Sequence, residues 1–156
     1  MFFMGEEIGA QKHYTYDNFL ANRENIAGER AGTGSALFRF YQELVTLRRR
    51  FPSIHNRNID ILHQSNTNRV IGFKRWFGSE EIIVVASLNE APFSNGYVIE
   101  KDPLAIPDAQ WKEIFNSDGF AYGGQNVGNL GGVITSTGAR INVVVPATGF
   151  VVLVKQ

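Results

Sequence analysis

Few residues in this chain could carry chemistry. Glu6 and Glu7 stand side by side behind an apolar run, Met1-Phe2-Phe3-Met4-Gly5. The C-terminal end of a buried strand is where barrel enzymes keep their reactive groups. Adjacent residues on a strand point to opposite faces, so these two glutamates cannot form a catalytic pair. In this chain alone both are expected to be solvated. His13, His55 and His63 have neither metal-ligand spacing nor a flanking carboxylate motif, and read as surface or turn residues. No Gly-x-Ser-x-Gly elbow is present. Gly123-Gly124-Gln125-Asn126-Val127-Gly128 has the glycines of a phosphate loop but not its Lys-Ser/Thr ending, so it reads as a β-connection needing positive φ. Aromatic rings that could stack on sugars are Trp76, Trp111, Tyr97 and Tyr122. Tyr122, in a glycine-rich loop, is the best placed, and Trp76 is next, near a hairpin end. Trp111, beside Ile114 and Phe115, reads as core. No residue is assigned as catalytic, and no motif calls for a metal or another cofactor.

These residues must be positioned by something. The 156 residues suffice for one ordinary domain, or one domain plus part of another. Fifteen basic and fifteen acidic residues cancel, which leaves no electrostatic footprint for nucleic acid or an anionic membrane. There are no cysteines, so disulfides and thiolate chemistry are excluded. No apolar run approaches the length of a membrane span, the apolar start lacks the form of a signal peptide, and no Asn-x-Ser/Thr sequon occurs. A cytoplasmic location is expected.

Met1 to Gly5 reads as a short buried strand that wants neighbours on both faces. Glu6 to Gly34 is polar, glycine-punctuated and weakly periodic, and reads as a long loop. Leu37, Phe40, Tyr41, Leu44, Leu47 and Phe51 recur at helical spacing, with Ser35 as N-cap, arginines 48 to 50 in the last turn and Pro52 as the stop. After Pro52 the period changes from helical to alternating. Seven or eight short strands follow, among them 69–77, 81–88, 97–100, 111–115, 133–135, 140–145 and 150–154. That spacing predicts an antiparallel sandwich or barrel.

Two stretches carry a resemblance. Met1-Phe2-Phe3-Met4-Gly5-Glu6-Glu7-Ile8-Gly9, with the helix Leu44-Val45-Thr46-Leu47-Arg48-Arg49 and then Phe51-Pro52-Ser53-Ile54, resembles the eighth strand and helix of the α-amylase-family barrel. Trp111-Lys112-Glu113-Ile114-Phe115-Asn116-Ser117-Asp118, followed by Tyr122-Gly123-Gly124-Gln125-Asn126-Val127-Gly128-Asn129, is similar to the C-terminal domain of 1,4-α-glucan branching enzymes. Strand 69–75 also matches that domain. The resemblance implies a mainly β fold: an antiparallel β-sandwich of the α-amylase C-terminal type, preceded by one amphipathic helix and a vestigial TIM-barrel strand. It places a barrel remnant at 1–55 and the sandwich at 56–156. It implies a non-catalytic C-terminal part of a starch- or glycogen-processing enzyme, most like a branching enzyme, with α-glucan and the barrel as partners. The family's catalytic carboxylates lie on earlier barrel strands that precede Met1. Glu6 or Glu7 would line the glucan cleft of the intact enzyme, and Tyr14 and Tyr16 would border it. Related alternatives are the C-terminal domain of an α-amylase or trehalohydrolase, a free α-glucan-binding module, and a scaffold domain. An unpaired apolar strand at the start predicts self-association through it, or disorder of residues 1–34.

Overall fold

A computed structural model describes residues 4–12, 16–18 and 20–156. The chain divides into two compact units, Met1–Leu47 and Arg48–Gln156. Among the described residues no helix is long and apolar enough to cross a membrane.

Most of the expected first strand, and with it the expected self-association, lies outside the described residues; Met4 and Gly5 form a turn. The expected long loop is partly ordered, which corrects the sequence reading. Glu6–Ile8 is a 3-10 turn bracketed by Gly5 at φ +97° and Gly9 at φ +65°, and Ile26–Ala31 is a short helix, α1. Asn25 caps α1 by accepting the Gly28 N–H, so a cap that suits Asn at this position overrides weak periodicity. Helix α2, Ser35–Arg50, follows the predicted stripe. Ser35 is its first helical residue rather than its cap. That junction belongs to Gly34, where an added Cβ would lie 2.7 Å from the Ile8 carbonyl oxygen, so only glycine lets the two segments meet. As Pro52 requires, Phe51 leaves the helical region with φ −112° and ψ 102°. A further turn, α3 (Pro52–His55), starts immediately with proline in its first turn.

The C-terminal unit is the predicted antiparallel β-sandwich. Its eight strands are β1 (Ile59–Ser65), β2 (Val70–Phe77), β3 (Glu80–Ser87), β4 (Phe93–Glu100), β5 (Ala109–Asn116), β6 (Val133–Ser136), β7 (Arg140–Val145) and β8 (Phe150–Lys155). Six form one sheet in the order β1-β2-β3-β8-β5-β6, and β4 and β7 form a second. Strand β4 starts earlier than expected. Its pairing with β7 shifts between Phe93 and Tyr97, and that irregularity hid the strand's first half from a reading based on strict alternation.

Alternation explains the core. Ile83 and Val85 of β3, Val151 and Leu153 of β8 and Trp111 of β5 meet Ile99 of β4 and Ile141, Val143 and Val145 of β7. All these side chains are almost wholly removed from water. Burial on this scale, at roughly 25 cal/mol per Å2 of apolar surface, is the main stabilising term of the unit. Trp111 sits at the centre with no exposure, and its indole N–H donates to Ser136 Oγ at 2.8 Å. The ring thus adds a large apolar area without stranding a donor.

Candidate functional site

The described residues singled out in the sequence are not gathered into one site. In the N-terminal unit, the two glutamates share the 3-10 turn but not its environment: Glu6 is exposed and Glu7 is buried. Glu7 accepts the Gly5 N–H at 2.9 Å and pairs with Arg30 at 3.0 Å. Its own backbone N–H and then the Arg30 guanidinium hold its carboxyl below the usual carboxylate range. The expectation that both glutamates are solvated therefore fails for Glu7: the tight turn aims its carboxylate back at the backbone while α1 brings up a cation. Arg30 also lies over the Phe38 ring, 4.8 Å from its centroid. Tyr16 is exposed, whereas Tyr14 and His13 lie outside the described residues.

In the C-terminal unit, Tyr122 closes a 3-10 turn, Phe120–Tyr122, and stacks on Phe115 with ring centroids 5.6 Å apart. Phe150 also stacks on Phe115, with ring centroids 5.6 Å apart. The glycine-rich loop around it is held by two carboxylates. Glu113, 5% exposed, accepts the Asn129 N–H at 2.7 Å, the Asn129 side-chain amide at 2.8 Å and the Gly131 N–H at 2.9 Å. Asp118 accepts the N–H groups of Gln125 at 3.1 Å and Val127 at 2.9 Å. Positive φ occurs at Gly123 and Gly131, as expected of a β-connection, and also at Asn126 and Leu130. These backbone N–H groups already have carboxylate acceptors, so the loop is a rigid connection built around its own anions.

Trp76 lies on the opposite side of the large sheet, on the face that β2 turns toward the core. It pairs across the β2–β3 hairpin with Glu81. The two-residue turn, Gly78-Ser79, has Gly78 at φ +58°. Lys74, two residues before Trp76 on the same face, is 7% exposed; it donates to Glu81 at 3.1 Å and to the Leu104 carbonyl at 3.0 Å. Glu81 also pairs with Lys155. Burial pushes the Glu81 carboxyl up, but the hydrogen bonds and charges of Lys155 and Lys74 outweigh it, and the group is held below the usual range. The sequence reading missed Lys74, Glu81 and Lys155. Strand alternation offered a signal, since a lysine in step with Val70 and Gly72 must face inward and find an anion.

His55 is exposed, and His63 Nε2 lies 2.8 Å from the Tyr97 hydroxyl. Tyr97 also receives the Asn68 side-chain amide at 3.2 Å and meets the Phe93 ring at 4.8 Å. It is thus a packed strand residue.

Comparison with known proteins follows the sandwich. Residues 61–156 match the family model described as the α-amylase C-terminal all-β domain. The whole chain is 29% identical to the 1,4-α-glucan branching enzyme GlgB of Bradyrhizobium sp. (strain ORS 278), and 85% of it aligns at 31% identity with the GlgB of Salinibacter ruber. It spans only 22% and 21% of the lengths of these two relatives. Among solved structures, an α-amylase from Geobacillus thermoleovorans, complexed with acarbose, matches 98% of the chain with a TM-score of 0.60 at 12% identity, over 28% of its own length. The α-amylase of H. orenii matches 77% of the chain with a TM-score of 0.52 at 20% identity, over 20% of its own length. On the match that spans the sandwich, this chain belongs to the α-amylase C-terminal all-β domain family.

Proposed function

We propose that this chain works as the C-terminal part of a 1,4-α-glucan branching enzyme, and that its own task is to cover and stabilise a catalytic (β/α)8 barrel. The observation that carries this reading is the outer face of the large sheet. Ile59, Ile61, Ile71 and Phe77, all on β1 and β2, are 50%, 45%, 39% and 56% exposed. They alternate with the residues that face the core, so they form one apolar surface. The chain enters the sandwich across this same face: the Ser53 N–H donates to Glu80 at 2.9 Å, and Arg75 donates to the Ser53 carbonyl at 2.9 Å. An apolar surface next to the incoming chain suits a permanent partner carried by that chain.

In this reading residues 1–55 complete the barrel with its last strand and helix, and residues 56–156 form the covering domain. The partners are the barrel and, through it, α-glucan, in a cytoplasmic setting. The parent would cleave an α-1,4 bond through a covalent glycosyl intermediate and pass the segment to a 6-hydroxyl. That chemistry needs two carboxyl groups roughly 5–5.5 Å apart across the bond. Glu7 is committed to Arg30 and Gly5, so Glu6 is the residue we assign to the cleft wall and Glu7 to holding the turn. Tyr122 we assign to the aromatic packing beneath the glycine-rich loop.

The test is an exchange. The matching C-terminal part of the Bradyrhizobium enzyme is replaced by this chain, and branching of amylose is followed by iodine absorbance. A soluble, active hybrid is expected, with the chain alone inactive. An insoluble or inactive hybrid beside an active native control, or turnover by the chain alone, would count against the reading.

A further inference from the structure

At the mouth of the sandwich, beside the β2–β3 hairpin, lies a cleft of about 500 Å3 lined by Asp60, Lys74, Trp76, Glu81, Asp102 and Leu104. Two properties define its chemistry. The first is charge. Asp60 pairs with Lys101 at 2.6 Å, and Glu81 pairs with both Lys74 and Lys155. Asp102 Oδ1 accepts the N–H groups of Leu104 and Ala105 at 3.0 and 2.9 Å. Lys74 in the lining, with Lys101 and Lys155 paired to Asp60 and Glu81 from beside it, offsets the three carboxylates, so the cleft carries no net charge. The second is mixed hydrogen-bonding capacity beside an aromatic ring. Lys74 commits two of its three ammonium protons to Glu81 and Leu104, and its nitrogen lies 5.9 Å from the Trp76 ring centroid. Asp60 and Asp102 each use one carboxylate oxygen for these contacts and have a second to offer. Trp76 is only half-buried, and its carbonyl is pinned by the side-chain amides of Asn56 at 2.6 Å and Asn58 at 3.1 Å.

A neutral polyhydroxylated ring fits that combination: its apolar face can cover an indole while its hydroxyls accept from an ammonium and donate to carboxylates. We propose that this cleft binds a glucosyl unit of an α-glucan against Trp76, with hydroxyl groups bonded to Lys74 and to the second oxygens of Asp60 and Asp102. The choice of an α-glucan among neutral sugars rests on the function proposed above. The site serves to hold a chain on the domain.

The chain has two tryptophans, and Trp111 is fully enclosed, so the two indole N–H signals of the labelled protein separate the cleft from the core. Titration with maltoheptaose should move the Trp76 signal to saturation, with a dissociation constant on the order of 1 mM, and leave Trp111 in place. Trp76→Ala should weaken binding, followed on the backbone amides of Leu104 and Ala105, by about tenfold or more. An unmoved Trp111 signal in this variant reports that the core is intact. Tyr122→Ala should bind as the unaltered chain does. A Trp76 signal still unmoved at about 20 mM sugar, undiminished binding by Trp76→Ala, or a response to calcium ions but not to sugar would overturn the site. Cellohexaose binding as tightly as maltoheptaose would overturn the α-glucan assignment. An active hybrid enzyme with a silent Trp76 signal removes this site alone, whereas a responding signal with a failed hybrid leaves the site standing and removes the domain assignment.

Discussion

Ile83, Val85, Trp111 and Leu153 are wholly enclosed in the C-terminal unit, while Leu37 and Val45 on α2 remain 37% and 55% exposed and no residue of that helix is buried. Among the described residues of the N-terminal unit, Ile8 is the only buried apolar side chain. Two sheets that face each other close a core between them, because each supplies the apolar face the other needs. One amphipathic helix cannot do this by itself. The contrast teaches that the two units differ in what holds them: the sandwich closes its own core, whereas the described residues of the N-terminal unit close none.

The sharpest way to break this comparison is in the core. Trp111→Ala removes a fully buried ring and its hydrogen bond to Ser136 Oγ, and should destabilise the C-terminal unit by about 3–5 kcal/mol in urea unfolding. A loss below about 1 kcal/mol would mean that the sandwich is not the self-sufficient half. A smaller effect is expected at Glu113. Its replacement by alanine strands three N–H donors of the glycine-rich loop, costs roughly 2–3 kcal/mol, and should speed amide exchange at Asn129 and Gly131. Unchanged exchange there would show that the loop holds its shape without the carboxylate.

Acid sharpens the comparison further, because Glu7 and Glu81 have the same sign in the two units. The folded pKa of each lies below 4.5. Each therefore contributes stability that is present above that value and lost as the pH falls from there through the folded pKa. Glu81→Gln should flatten the acid limb of sandwich unfolding as the pH falls below 4.5. Glu7→Gln should leave that limb unchanged and alter only the N-terminal unit, read by circular dichroism at the helix signal. The smallest effect belongs to the surface pair Arg39 and Glu43, 2.8 Å apart at i,i+4 on α2. Arg39→Ala should cost about 0.3–0.5 kcal/mol of helix stability, halved or better by high salt. A larger loss would reveal a role for Arg39 beyond the pair.

Much of the fold was legible because it is local. The i, i+3, i+4 apolar stripe and Pro52 set the helix and its end, and alternation bounded by turn residues located the strands of the sandwich. What escaped depended on departures from regularity. The first half of β4 is concealed by a shift in pairing, and α1 is too short for periodicity and rests on its Asn25 cap. The site residues divide in the same way. Trp76 and Tyr122 were legible as aromatics in exposed-looking places, but their neighbours come from strands and loops remote in sequence. Phe115 lies under Tyr122, and Lys74, Glu81 and Asp102 surround the cleft of Trp76.

By itself the sequence determined the periodic elements, the all-β class, the balanced charge and the family resemblance, since each is written in residue type and spacing along the chain. Only the tertiary structure decided that Glu7 is buried on Arg30 while Glu6 is not. It alone set Lys74, Glu81 and Lys155 as one network, and left the outer face of β1 and β2 apolar and open. The physical reason is that burial and charge pairing depend on which distant segments arrive at the same place. Strand order and turn geometry set that arrangement, and composition does not.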